Sequence, residues 1–447
     1  MGSTGQITTG QISIRPSLQG LADRAIIAAV RPLHALIAAP SLLFLAMLTV
    51  MLFRPPDVQS CGLDRVAFFL LLFVVVLRGL ALRRPIRLAR PAMWPMAALL
   101  LLGLSAVLIQ PYDAQNWSVF AAKWVIPFAL YHVAGSVFDD AGSLHRLETF
   151  ALVVLGYLSL IAIFFLVGAK GLIFPRYILD EGLGIHADRA RGPFLQAVAN
   201  GVTLNMLGLV ALDSFRRKRL KGLAALLLLA AVPLAILATE TRAVWLSFAG
   251  SILVLLFVSS SSRIRKACLC LILAGALGLL AALSFDEVNQ SLSSRLEERS
   301  PVEFRVVMYR TGLEMFLEKP FMGWAGDDLQ SELAKRIHEF HQEAFFFHNS
   351  YLEIAVQHGL IGLAFYLWVG IDLFRLGSRR RSDAAPDGNF LDEHFRSLWP
   401  VLVGVYLLNG SFVVMNYQFV NGLLFTLAGI LAAQNRRADI QSHAIPI

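Results

Sequence analysis

The sequence predicts an all-α integral membrane protein with about twelve transmembrane helices. Three observations carry that reading. Hydrophobic residues make up 57% of the 447 and charged residues only 16%, where a soluble domain carries about 25% charge, so there is more apolar surface than one aqueous core can bury. Apolar windows long enough to cross a bilayer recur along the whole chain. The basic residues fall in short runs between those windows, on alternate connections, as the positive-inside rule requires.

In windows of about 19 residues the apolar spans fall at 33–53, 66–82, 92–110, 117–134, 149–168, 192–212, 222–238, 243–261, 267–284, 351–374, 398–415 and 420–434. The basic runs are Arg83, Arg84, Arg87 and Arg90; Arg216 to Arg219 with Lys221; Arg263, Arg265 and Lys266; Arg375 with Arg379, Arg380 and Arg381; and Arg436 with Arg437. With the N-terminus inside, all five lie on the cytoplasmic side. The net charge of +8 is thereby assigned to topology, and no nucleic-acid partner is expected. Residues 1–32 are polar and lack the basic and apolar regions of a signal peptide, so they read as a cytoplasmic tail. Residues 33–284 carry helices one to nine, 285–350 a periplasmic loop, 351–434 helices ten to twelve, and 435–447 a cytoplasmic C-terminal tail. Of the three cysteines, Cys268 and Cys270 sit one residue apart in an apolar run, a spacing that suits neither redox nor zinc chemistry.

The long far-side loop is acidic on balance and too long to be a mere connection. Glu303 to Lys319 has apolar residues at helical spacing and stops before Pro320. After Gly323-Trp-Ala-Gly326, Asp327 can cap a second amphipathic helix bearing Leu329, Leu333, Ile337 and Phe340. Both helices are expected to lie over the membrane face as a periplasmic cap.

On a side otherwise poor in cations, three positions stand out. Arg242, in Glu240-Thr-Arg242 between two spans, is held at the interface, either snorkelling to headgroups or offering its planar fork to phosphate oxygens. Arg191 closes the 169–191 loop before Gly192-Pro193, where a helix is expected to begin. It is either a solvated loop arginine beside Arg189 or one half of an anion site at a helix N-terminus. His348 precedes the span at 351. The helix dipole and nearby arginines disfavour its cationic form. A neutral imidazole can serve as a general base or simply cap the helix. Lys123, part-way into a span, either faces the site or snorkels. His338 and His341, three apart, lack a third ligand, so no metal is expected.

These residues, in this order, resemble the O-antigen ligase and polymerase superfamily. His348-Asn349-Ser-Tyr-Leu-Glu-Ile-Ala-Val-Gln-His-Gly359-Leu-Ile-Gly362 is similar to the ligases' His-Asn, nine residues, Gly-x-x-Gly pattern. Arg242-Ala-Val-Trp-Leu246 resembles the Arg-x-x-x-Leu after a periplasmic turn. Arg191-Gly-Pro-Phe resembles the basic start of the preceding helix pair. Arg305 followed by Pro320-Phe-Met-Gly323 resembles the Arg, aromatic helix, Pro-x-x-Gly stretch. Gly326-Asp327-Asp328 departs from the usual Gly-x-Gly, and no binding role is placed there.

The resemblance implies a GT-C-like membrane glycosyltransferase in the bacterial inner membrane. It would move a glycan from undecaprenyl diphosphate to a sugar hydroxyl of lipid A–core oligosaccharide on the periplasmic face. It further implies His348 as general base, Arg191 and Arg242 on the diphosphate, Arg305 placing donor or acceptor, and Asn349 and Lys123 toward substrate. The diphosphate linkage drives the transfer, so no cofactor or metal is called for. No carboxylate nucleophile is evident, which favours a single inverting displacement. O-antigen polymerases and protein O-oligosaccharyltransferases share the pattern. A lipid or polysaccharide transporter is the alternative from another class, against which stands the scarcity of ionisable residues at mid-membrane.

Overall fold

The structure is a computed structural model that describes residues 39–54, 62–83, 88–284, 290, 293, 300–324, 329–337, 346–378 and 390–444. It is helical, with no strand among the described residues. The helices are α1 (Pro40–Leu52), α2 (Leu63–Ala81), α3 (Met93–Ile109), α4 (Ala114–Val137), α5 (Ala141–Leu166), α6 (Ala197–Arg216), α7 (Gly222–Leu237) and α8 (Arg242–Val258). They continue as α9 (Ser262–Leu283), α10 (Ser300–Glu318), α11 (Leu329–Arg336), α12 (Ser350–Arg375), α13 (Glu393–Gly410) and α14 (Gln418–Ala444). Local chemistry sets several starts. Asp113 caps α4 through Gln115 and Asn116 N–H, Asp140 and Ser143 form a reciprocal capping box on α5, and Asp392 caps α13 through Phe395 N–H.

Each of the twelve predicted apolar spans overlaps one of these helices. Among the described residues, five helices are long and apolar enough to cross a membrane: Ala114–Val137, Ala141–Leu166, Ala197–Arg216, Ser262–Ala281 and Ser350–Arg375. The outer surface is apolar as well. Phe69 and Phe73 on α2, Leu226 on α7, Phe257 on α8 and Leu280 on α9 are all exposed, a coat that suits lipid and not water.

One helix runs through the middle. α6 is buried along nearly its whole length and is flanked by α5, α7, α8 and α13. α4 and α14 cross at van der Waals range because both are glycine there. A Cβ on Gly135 would sit 2.3 Å from Ala433 Cβ, and one on Gly429 would sit 2.1 Å from Tyr131 O. This is the small-residue packing that membrane helices use in the absence of a hydrophobic driving force.

At one end of the bundle, Arg216 and Arg217 do more than mark a side of the membrane. Arg216 Nη2 lies 2.8 Å from Asp213 and 2.6 Å from Asp392, and Arg217 Nη2 lies 2.6 Å from Glu148. Arg217 Nε also bonds Asp213 at 2.8 Å. Three buried carboxylates from α5, α6 and the start of α13 thus neutralise two guanidinium groups, as buried charges require.

The loop helices appear where the pattern placed them, as α10 and α11. Leu333 and Ile337 are buried as expected, with Met308, Met315, Phe347 and Val356 in a small core of their own. Asp327, Phe340, His338, His341 and the Gly326-Asp327-Asp328 turn lie outside the described residues.

Candidate functional site

The site is built around the start of α12, at the end of the bundle opposite the Arg216 cluster. Asn349 is the N-cap, and its Oδ1 accepts from Tyr351 N–H at 2.9 Å and Leu352 N–H at 3.1 Å. The side chain expected to reach for substrate is therefore spent largely on the helix. His348 stands one residue before the cap, at φ 49°, a left-handed conformation that costs a non-glycine residue free energy. Its neighbours fix it there. Phe347 is buried in the small core, where α10 comes so close that a Cβ on Gly312 would meet its ring at 2.9 Å. Tyr309 O–H donates to Ser411 O at 2.9 Å and lies 3.3 Å from His348 O. Ser350 Oγ donates to Val413 O and accepts from Met415 N–H, tying the start of α12 to the α13–α14 connection.

The His348 ring meets Phe304 edge to face at 5.7 Å. Burial first, then the positive charge of Arg305 and the neighbouring His186, pull its pKa down to about 4. The expected neutral imidazole is there, but its main cause is desolvation and not the helix dipole. His186 is a member of this site that sequence reasoning missed. It stands exposed at φ 54° in the loop before α6. The available signal was a histidine five residues before Arg191 on the same expected face.

Arg191 behaves differently from its prediction. The helix begins at Ala197, not at 192. Gly192–Phe194 is a separate 3-10 turn holding Pro193, and Leu195 at φ 54° ends it. Arg191 is completely buried. Its Nε donates to Ile178 O at 2.9 Å, and its two terminal nitrogens donate to Leu183 O and Asp180 O. The fork closes the 176–191 loop on itself, so Arg191 acts on that loop and does not present its nitrogens to the open face. Asn200 Nδ2 to Ala190 O (2.8 Å) and Ala190 N–H to Ala238 O (3.1 Å) then fasten the loop to α6 and to the α7–α8 turn. His186 is held toward His348 by this fastening.

Arg242 is the first residue of α8 and is exposed, on the same end of the bundle, one turn after the Ala238 contact. The α7–α8 turn that carries it is stapled by Trp245 Nε1 to Ile236 O at 3.0 Å, and α6 approaches α8 closely at Gly201 and Val244. Arg305, half-buried on α10, lies close enough to His348 to shift it. Among the described residues no carboxylate pairs with it. Lys123 does not snorkel. It is buried on a π-turn, Ala121–Val125, inside α4, and its Nζ lies 3.1 Å from Glu353 Oε1 in the first turn of α12. Beside it is a cavity of about 30 Å³ lined by Lys123, Ser350, Tyr366 and Tyr406 among others, room for a water or two and not for a sugar. The sequence reading placed Lys123 toward substrate. The structure places it in an ion pair beneath the site.

The two glycine motifs are halves of one contact. Gly359 breaks α12 at φ 64°, ψ −164°, a region open only to glycine. The break removes the ordinary bond from Leu360 N–H to Val356 O. Leu360 N–H donates instead to Pro320 O at 2.7 Å, and Val356 O accepts from Trp324 N–H at 2.9 Å. The turn after α10 thus completes the broken helix. A Cβ on Gly323 would fall 2.5 Å from Val356 O, and one on Gly359 would fall 2.1 Å from Phe321 O. The contact holds α10, and with it Arg305 and Tyr309, against α12.

Taken together, one end of the bundle gathers a neutral, half-buried imidazole, a half-buried guanidinium beside it and an exposed guanidinium at the start of α8. Such a set can accept a proton from a hydroxyl and balance an anion. Residues 223–367 match the family described as O-antigen ligase. The match includes Arg242, Arg305, His348, Asn349 and Gly359, while Arg191 and Lys123 precede it. It supports membership of the O-antigen ligase and polymerase superfamily. No curated protein matches the chain.

Proposed function

With residues 223–367 matching the O-antigen ligase family as the premise, we propose that this protein is an O-antigen ligase of the bacterial inner membrane. It transfers polysaccharide from undecaprenyl diphosphate to a sugar hydroxyl of lipid A–core oligosaccharide at the periplasmic ends of its roughly twelve membrane helices. The observation that carries this reading is the His348 imidazole held neutral beside Arg305. His348 takes the proton of the acceptor hydroxyl. That oxygen attacks the anomeric carbon, the bond to the diphosphate oxygen breaks with its electron pair, and the lipid diphosphate leaves. The leaving group is a weak base, so it needs charge balance and no proton. Arg242 and Arg305 supply that balance, and Arg191 holds the loop that carries His186. An imidazole with a pKa of about 4 is a feeble base. A bound diphosphate beside it offsets the arginine charge and raises its basicity when the reaction needs it.

The test is the lipopolysaccharide of a deletion strain, complemented by the wild-type chain and by His348→Ala. Loss of all long glycan from the core, with lipid-linked polymer accumulating, supports the ligase. One repeat unit left on the core assigns a polymerase. Unchanged lipopolysaccharide with altered lipid export assigns transport.

A further inference from the structure

The segment between α9 and α12 reads in sequence as a cap lying above the membrane. The structure puts its lower end lower than that. Its Pro320–Trp324 turn is bonded not to the top of α12 but to Val356 and Leu360. Below the break, Leu360–Arg375 rises about 24 Å at about 1.5 Å per residue. A hydrocarbon core is roughly 30 Å thick. With Arg375 at the far border, the break and the turn stacked on it fall inside the core.

The side chains agree with that depth. Leu317 on α10 and Phe321 and Met322 on the turn are 65–68% exposed. They adjoin Leu360 and Ile361, which are exposed just below the break. This patch lies outside the small core formed by the opposite face of α10. Arg310 and Glu314, an exposed pair at 3.2 Å, mark where polar surface begins. The charges nearest the tip are matched. Glu318 pairs with Arg336 of α11, and Lys319 lies 3.7 Å over the Trp324 ring, so both long side chains lean toward α11 and the polar surface, as snorkelling charges do. The non-helical chain there is held by Gly323 N–H to Lys319 O at 3.1 Å and by the Pro320 and Trp324 bonds to α12, so it is packed on protein on one side, where non-helical backbone at membrane depth is tolerated. We propose that the end of α10 from Leu317 and the Pro320–Gly323 turn form a re-entrant element whose Leu317, Phe321 and Met322 face contacts the acyl chains of the outer leaflet. The element anchors the α10 end of the site in the bilayer that holds a lipid-linked donor. The anchoring does not depend on what reaction the site performs.

Nitroxide labels at Leu317→Cys, Phe321→Cys and Met322→Cys test this. The background is the full-length protein with its native cysteines replaced, reconstituted in liposomes of phosphatidylethanolamine and phosphatidylglycerol. Labels at Arg310→Cys and Ser331→Cys serve as references. Relaxation by oxygen should exceed relaxation by a water-soluble nickel chelate at the three sites and reverse at the two references. Chelate access at all three sites would overturn the proposal, because the element would then sit in water. Poor access to both reagents would also overturn it, because protein and not lipid would cover the face. The same labels in detergent-free apoprotein and with added polyprenyl diphosphate separate bulk acyl chains from the donor's own tail. Oxygen access that appears only with the polyprenyl lipid would assign the face to the donor and remove the bilayer contact.

Discussion

Replacing Gly359 by alanine tests whether the broken helix is an organising feature of the site. The new methyl would fall 2.1 Å from Phe321 O, 2.3 Å from Phe321 C and 2.7 Å from Met322 N. All three are backbone atoms, so no side-chain rotation relieves the overlap. The native φ and ψ cost alanine about 1–3 kcal/mol. If α12 relaxes to a continuous helix it regains the Leu360 to Val356 bond but expels Pro320 O and Trp324 N–H. Those two contacts are worth about 0.5–1.5 kcal/mol each. The two routes are alternatives: keeping the native backbone costs about 1–3 kcal/mol of strain on top of the overlap with Phe321, and relaxing the helix gives up both contacts to α10, so either one weakens the docking of α10. Gly404→Ala is the control, since a Cβ there meets nothing within 4 Å and helix propensity favours alanine by about 1 kcal/mol. Thermal melting in detergent, protease cleavage within 320–324 and glycan transfer are measured on both variants. Gly359→Ala should melt lower, be cut faster and lose most transfer, while Gly404→Ala should match or exceed the parent in stability. A Gly359→Ala protein that melts, resists protease and transfers like the parent would refute the reasoning.

Four further outcomes are expected. His348→Ala should lower turnover by roughly 10²–10⁴ with lipid-diphosphate binding kept. Because the imidazole stays neutral until the pH falls to about 4, kcat/KM should hold level to that pH on the acid side. The acid limb of kcat should lie higher, since bound diphosphate favours the protonated form; coincident limbs would argue against a base beside the anion. Arg242→Ala should weaken donor binding and turnover together, with Arg242→Lys restoring only part because a point charge cannot reproduce a bidentate fork, so an Arg242→Ala enzyme equal to wild type in both assays removes Arg242 from the anion site. Lys123→Met or Glu353→Gln alone should cost roughly 3–5 kcal/mol by stranding a buried charge, and the double variant much less than the sum, whereas strictly additive losses in melting would mean that the two groups are not coupled.

The order of the helices, the gathering of Arg242, Arg305 and His348 at one end of the bundle, and the helices of the long loop were all legible in the chain. Each depends on local quantities. Hydropathy over a window reports burial in lipid, a Pro or an Asn reports a helix end, and an amphipathic period reports a packed face. What the tertiary structure decided depends on partners far apart in sequence. Lys123 meets Glu353 across 230 positions. His186 is carried to His348 by a loop folded around Arg191. Arg216 and Arg217, legible only as a topological signal, answer to carboxylates on two other elements. Arg191 is the instructive case. Its position ahead of a membrane helix suggested an anion site, because the sequence shows a charge but not which carbonyls will surround it. Once the loop turns back at Gly184 and Gly192, three carbonyls converge on the guanidinium and hold it inside the loop. The Pro-x-x-Gly and Gly-x-x-Gly motifs likewise read as separate turns until packing joins them, since a glycine's requirement for close approach names no partner. Local pattern therefore determined the elements and the side on which the polar residues gather, while the backbone geometry of three converging segments decided which of them face the open site.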